Sequence, residues 1–132
     1  ILNGVPKSEV PKILMDADAL LHIEMDLPSS QFGGSPNKLF DYLSTGKPII
    51  YASNYVKDYL DSIGCGIYAD PNNYEDLALA IKKLLSLSSK ERVKMGMNGR
   101  KYVEKYHSIP VLVDKLEEVI KEAVANYEKS QA

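Results

Sequence analysis

The chain has 132 residues, a formal net charge of −2 at pH 7 and 45% hydrophobic residues, which suits one globular domain with a real core. The near-neutral charge argues against a nucleic-acid surface. The single cysteine, Cys65, rules out an internal disulfide, and its place between two glycines predicts a buried structural thiol. Because no apolar run reaches membrane-span length and no signal peptide is recognisable, a cytoplasmic location is expected.

Short apolar runs alternate with helix signals along the first part of the chain. The opening residues, Ile1-Leu2-Asn3-Gly4, look like the end of a strand already under way, so the chain is expected to be a piece of a longer protein. Ser8 is predicted to cap a helix that runs to about residue 17. A strand is predicted at 19–25, and the stretch 26–34, rich in Pro, Ser and Gly, is predicted to be a loop.

Residues 35–52 are predicted to form one helix, a tight turn that ends this helix, and a buried strand. Ser35 is a favourable N-cap and Pro36 suits the first helical position. Gly46 can take the left-handed conformation that ends a helix. The apolar run at 48–52 is too short for a helix and is predicted to be a strand.

Five further elements are predicted from local signals after residue 55. In chain order they are a short helix ended by Gly64, a strand at 66–69, a helix capped by Asn73, a helix that starts with Ser88-Ser89-Lys90-Glu91 and runs to about His107, and a last helix capped by Ser108. In the helix after Asn73, the side chains predicted to face the core are Leu77, Ile81, Leu84 and Leu85. In the last helix, the residues predicted to share one apolar stripe are Leu112, Leu116, Val119, Ile120 and Ala123.

This succession of elements predicts the fold class. The strands are too apolar to be half exposed, and they alternate with helices. An α/β fold is therefore expected, with a Rossmann-like parallel sheet and helices on both of its faces.

The helix at 36–45 has one polar face that suits a phosphorylated ligand. The free N–H groups and dipole of its first turn favour an anion, and Lys38 adds a full positive charge there. Asp41, one turn further along, can accept hydrogen bonds from hydroxyl groups of the molecule that carries the anion. The alternative is that Lys38 and Asp41, three residues apart, form only a surface ion pair.

Other polar residues give less specific indications of a functional site. His22 and His107 are interpreted as structural residues. Glu24 and Asp26 end a strand, so either can reach a sugar hydroxyl or remain solvated. No spacing of His, Cys, Asp and Glu suggests a metal site.

Several motifs occur in an order that carries a family resemblance. They are Gly4-Val5, Glu9-Val10-Pro11, Ala17-Asp18-Ala19, Ser35-Pro36-Asn37-Lys38 followed by Phe40-Asp41-Tyr42, Gly64-Cys65-Gly66-Ile67, Tyr74-Glu75-Asp76-Leu77-Ala78 and Met95-Gly96-Met97-Asn98-Gly99-Arg100. Together they resemble group 1 glycosyltransferases, which are retaining enzymes of the two-domain GT-B architecture. That family has two acidic residues separated by seven positions; Asp41 matches the second, and the first falls on Gly33, which has no carboxylate.

The resemblance implies a domain organisation and a set of site residues. Residues 1–132 would be a partial carboxyl-terminal, donor-binding domain that lacks its first βα units, and the final helix, at about 109–130, would pack on the missing amino-terminal domain. The implied ligand is a nucleoside diphosphate sugar. The implied contacts are Gly34, Ser35, Asn37 and Lys38 for the diphosphate, Asp41 for the ribose, and Gly4 and Val5 for the nucleobase.

The same resemblance implies the partners. No catalytic residue, cofactor or metal is expected in this chain, which alone should be inactive. The whole enzyme would use an acceptor glycan or lipid-linked sugar held by the missing domain, in polysaccharide or glycan biosynthesis, with peripheral association at the cytoplasmic face of the membrane. Loss of the first strands would leave an exposed strand edge that favours self-association.

Two alternative functions fit the same pattern of elements. One is a non-catalytic flavodoxin-like module that binds phosphate or takes part in signalling. The other is a nucleotide-sugar epimerase of the same two-domain architecture.

Overall fold

A computed structural model describes residues 4–25, 27–28 and 37–131 of the chain. Its three strands are β1 (Leu20–Ile23), β2 (Ile49–Ala52) and β3 (Gly66–Tyr68). A 3₁₀ turn at Lys7–Glu9 precedes six helices: α1 (Val10–Asp16), α2 (Asn37–Ser44), α3 (Lys57–Ile63), α4 (Tyr74–Ser86), α5 (Ser89–Tyr106) and α6 (Ile109–Gln131).

The strands form one parallel sheet in the order β1-β2-β3. Leu21 of β1 is in register with Ile50 of β2, which is in register with Ile67 of β3. Strand β1 lies at one edge of the described sheet, where β2 is its partner. The predicted α/β fold with a Rossmann-like parallel sheet is therefore confirmed.

Two apolar cores cover the two faces of the sheet, because successive side chains of each strand point to opposite sides. One core joins the sheet to α2 and α3, and its buried members are Leu20, Leu39, Leu43, Ile49, Tyr51, Val56, Leu60 and Cys65. The other joins the sheet to α4 through Ile50, Ala52, Ile67, Ala69, Ala80 and Leu84. The second face is incompletely covered at β1, where Leu21 and Ile23 are each 46% exposed.

Most of the predicted helix ends are confirmed. Asn73 caps α4 by accepting hydrogen bonds from the backbone N–H groups of Glu75 and Asp76. Ser88 and Glu91 form both bonds of a capping box at α5. Gly46 is left-handed, with φ of 70°, as the helix exit requires.

The predicted cap of the first helix is wrong. Ser8 lies inside the 3₁₀ turn, and no side chain caps α1. The turn begins directly after Pro6, whose carbonyl oxygen accepts a hydrogen bond from the N–H of Glu9 at 2.9 Å. Glu9 therefore becomes the residue that precedes α1.

Helix α5 packs very closely against the carboxyl end of α2 and against Gly46, which follows it. A Cβ atom added to Gly96 would lie 1.9 Å from the carbonyl oxygen of Gly46, and one added to Gly99 would lie 2.8 Å from Cδ2 of Leu43. Both glycines are buried in the middle of an 18-residue helix. They are therefore required by the contact between α5 and α2, although glycine weakens a helix.

The predicted core face of α4 needs correction. In α4 the buried residues are Ala80 and Leu84, whereas Ile81 is 40% and Leu85 70% exposed. The reason is that α4 contacts the sheet mainly at β2 and β3, so only a narrow stripe of the helix is covered. Helix α6 has no buried residue, and its apolar stripe from Leu112 to Ile120 is exposed.

The thiol of Cys65 is buried, as predicted, and burial raises its pKa to about 12. A neutral thiol of this kind is a poor nucleophile at physiological pH. None of the helices in the described ranges combines the length and apolar composition needed to cross a membrane.

Candidate functional site

The carboxyl ends of β1 and β2 and the start of α2 lie at the same edge of the sheet. In parallel α/β sheets this edge is where ligands bind. Strand β1 ends at Ile23, β2 ends at Ala52, and α2, which lies between these strands in the chain, begins at Asn37. The backbone ladder continues past β1, because Glu24 N–H donates to the carbonyl oxygen of Ala52 at 3.0 Å.

Helix α2 presents its predicted polar face to solvent. Leu39 and Leu43 are buried in the core, and they orient the helix so that Asn37, Lys38 and Asp41 are exposed. Among the residues that the structure describes, neither Lys38 nor Asp41 has an ion-pair partner, and the two do not pair with each other. The surface ion pair considered from the sequence does not form, which leaves both charges available to a ligand.

Asp41 lines a groove of about 140 Å³ between α1 and α2. The groove is also lined by Lys7, Val10, Pro11, Leu14, Met15, Ser44 and Thr45. One wall is therefore mainly apolar, from α1, and the other is polar, from the exposed face of α2. The contribution of α1 to this groove was not expected from the sequence, because it depends on how two helices pack.

The remaining predicted site residues fall into three groups. Gly4 and Val5 are exposed, and Pro6 separates them from the 3₁₀ turn that supplies Lys7 to the groove. Gly34 and Ser35 lie outside the described residues, as does Gly33. Asn37 and Lys38 are the first two residues of α2, next to the N–H groups that an anion would contact.

A second group of polar side chains lies at the ends of β1 and β2. His22 and Ser53 are buried, with exposures of 0% and 1%. The Ser53 hydroxyl donates to Oε2 of Glu24 at 2.9 Å, and Nε2 of His22 lies 3.3 Å from the same oxygen. We call His22, Glu24 and Ser53 the strand-end cluster.

Electrostatics connect the strand-end cluster to α2. Burial lowers the pKa of His22, the charge of Glu24 opposes this shift, and the charge of Lys38 adds to it. The imidazole is therefore neutral near pH 7. Neither ring nitrogen makes an aligned hydrogen bond to any residue in the described part of the chain.

The sequence interpretation noted Glu24 at the end of a strand but did not connect it with Ser53. The two residues are 29 positions apart, and their contact depends on the register between β1 and β2. An acidic residue directly after one strand and a serine directly after the next were the only signals available. Across residues 4–25, 27–28 and 37–131, no group of three or more His, Cys, Asp or Glu side chains could hold a metal ion.

The family model described as glycosyl transferase-like matches residues 1–118, which is most of the chain. No curated protein and no solved structure shows significant similarity to this chain.

Proposed function

The chain belongs to the glycosyl transferase-like family, and from this premise we propose that it is the part of a glycosyltransferase that binds a nucleoside diphosphate sugar. The parent enzyme transfers the sugar to an acceptor glycan or lipid-linked sugar. In this proposal it has the GT-B architecture, retains the configuration at the anomeric carbon, and acts in polysaccharide or glycan biosynthesis in the cytoplasm, as the group 1 resemblance implies.

The diphosphate is assigned to the start of α2. The N–H groups of a first helical turn point at an anion, and the helix dipole favours negative charge there. Lys38 is exposed in that turn and has no ion-pair partner in the described part of the chain. Gly34, Ser35 and Asn37 complete the proposed contacts, with Gly34 and Ser35 outside the described residues.

The ribose is assigned to Asp41, and this assignment rests on the groove between α1 and α2. A carboxylate accepts hydrogen bonds from the two ribose hydroxyls, and the adjacent apolar wall from Val10 and Leu14 suits a flat nucleobase. Gly4 and Val5 precede this wall in the chain, which supports the proposed base contact through their backbone.

The proposed chemistry follows from the leaving group. When the bond between the anomeric carbon and the diphosphate breaks, negative charge develops on the departing phosphate oxygen. Preorganised N–H groups and the ammonium group of Lys38 stabilise that charge in the transition state. The single observation that carries the proposal is that Lys38 and Asp41 are exposed on one helix face without pairing with each other.

Calorimetry on the full chain tests this assignment with uridine, UDP, guanosine and GDP. Lys38→Ala is expected to weaken diphosphate binding about tenfold, as loss of one charge-assisted contact does, and nucleoside binding less than twofold. Asp41→Asn should weaken a nucleoside and its diphosphate by similar factors, because both carry the ribose. Lys82→Ala, an exposed lysine in α4, is the control and should change neither.

Two results would contradict the proposal: no binding of any of the four ligands, or equal loss for nucleoside and diphosphate in Lys38→Ala. Product analysis with a labelled donor then separates transfer from epimerisation in the parent enzyme.

A further inference from the structure

In the strand-end cluster, one buried group donates a hydrogen bond to a carboxylate and a second buried group packs beside it. His22 lies in β1 and Ser53 directly follows β2. Both point to the same face of the sheet as the core beneath α2, since each lies two residues from a core member of that face. Both approach Oε2 of Glu24, at 3.3 Å and 2.9 Å. The hydrogen bond from Ser53 therefore positions this oxygen from inside the domain, and the His22 ring limits its movement by contact.

The outer part of Glu24 remains accessible. Its side chain is 31% exposed, whereas the two groups that contact it are buried. Within the described residues, its second oxygen, Oε1, has no hydrogen-bond partner, so this atom can accept bonds from a ligand. A carboxylate held on one side and open on the other is suited to binding, and a purely structural role would not require the open side.

The surroundings indicate which chemical group would bind. Glu24 directly follows β1 at the edge of the sheet at which α2 begins, and the charge of Lys38, in the first turn of α2, adds to the lowering of the His22 pKa. A diphosphate at the start of α2 would therefore lie at the same edge as the cluster. A carboxylate oxygen accepts hydrogen bonds, and the hydroxyl groups of the sugar attached to the diphosphate are the donors that such a ligand offers at this place. A sugar that carries its own carboxylate would be repelled.

We propose that Glu24, positioned by Ser53 and His22, binds hydroxyl groups of a neutral sugar attached to the diphosphate. This inference rests on the proposed function, because it deepens the same site. It makes Glu24 a specificity-determining residue for the sugar. Ser53 and His22 act through Glu24 and are positioning residues.

The test compares each nucleoside diphosphate with its sugar derivative in calorimetry on the full chain. The probes are UDP with UDP-glucose, and GDP with GDP-mannose. We expect Glu24→Gln to weaken binding of the sugar derivative about tenfold, the effect of losing a charge-assisted hydrogen bond, and binding of the free diphosphate less than twofold. Ser53→Ala should produce a smaller loss of the same kind, since the carboxylate remains but is less fixed.

A matched control is Glu75→Gln, which removes an exposed carboxylate from the first turn of α4 and should change neither affinity. Thermal unfolding of each variant checks that the fold is kept, and Ser53→Ala gives a second reading if Glu24→Gln does not fold. Equal loss for free diphosphate and sugar derivative, or no loss for either, would overturn the role of Glu24 and leave the diphosphate assignment intact. Absence of all nucleotide binding by the unaltered chain would overturn the proposed function and this inference with it.

Discussion

His22 makes the stability of the chain depend on pH. The ring is fully buried, and burial lowers its pKa from the ordinary 6.5, while Glu24 opposes and Lys38 adds to the shift. At pH values between the lowered pKa of the folded chain and the ordinary pKa of the unfolded chain, the unfolded chain binds more protons than the folded chain. The free energy of unfolding therefore falls as pH falls. The contribution of the neutral His22 ring to the free energy of unfolding is fully present above about pH 6.5 and is lost progressively below it.

We expect the pH dependence to be weaker in a His22→Leu variant. The slope of the free energy of unfolding against pH, from urea denaturation between pH 5 and 7.5, should fall by up to about 1.4 kcal/mol per pH unit, the value for one proton. His107, whose pKa is also lowered by burial and by Lys115, gives the comparison, and His107→Gln should change the slope less because that ring is only half-buried. Identical slopes in the unaltered chain and His22→Leu would show that His22 titrates normally.

At the scale of elements, the contact of α5 with α2 depends on Gly96. Replacement by alanine would place a Cβ atom 1.9 Å from the carbonyl oxygen of Gly46, and backbone cannot move aside as a side chain can. We expect Gly96→Ala to lower the free energy of unfolding by about 1–3 kcal/mol, although helix propensity alone favours alanine by about 1 kcal/mol. Urea denaturation measures the change.

The control for Gly96→Ala is Lys101→Ala, an exposed position in the same helix, which should alter stability by less than about 0.5 kcal/mol. A gain of stability in Gly96→Ala would mean that propensity outweighs packing and that α5 is not held against the α2 exit.

The elements that the sequence predicted correctly depend on local signals. Asn73, the Ser88–Glu91 capping box and the glycine exit at Gly46 each act within a few residues, so they could be recognised one by one. The buried face of α4 could not be recognised from the sequence. Apolar side chains lie around much of the circumference of this helix, so they do not specify which stripe contacts the sheet.

The candidate site also has one part that the sequence predicts and one part that it does not. Lys38 and Asp41 belong to one helix, and their exposure follows from the burial of Leu39 and Leu43 beside them. The bond from Ser53 to Glu24 joins two strands, and a shift of one residue in their register would turn one of these side chains to the other face. Sequence periodicity cannot supply that register.

At the scale of the whole molecule, β1 is an edge strand with an apolar outer face. In the described sheet it pairs with β2, and Leu21 and Ile23 are each 46% exposed. Exposed edges of this kind pair with other chains. We expect the chain to form dimers or larger species through this edge unless residues 1–3, which lie outside the described part, cover it.

Light scattering over a range of protein concentrations measures this self-association. Ile23→Lys should shift the chain to a monomer, since a charge on an edge strand opposes pairing. Leu85→Lys changes a residue of α4 that is 70% exposed and should leave the association unchanged. If the unaltered chain stays monomeric at every concentration, the edge does not mediate association.

The strand order also bears on how the chain folds as it is synthesised. Spatial neighbours β1, β2 and β3 are consecutive in the chain, so each new strand can add to the one made just before it. The contact of Gly96 with Gly46 joins residues fifty positions apart, and it closes a much longer loop. The ligand edge formed by β1, α2 and β2 is therefore expected to be synthesised before α5, and to become rigid only when α5 packs against α2.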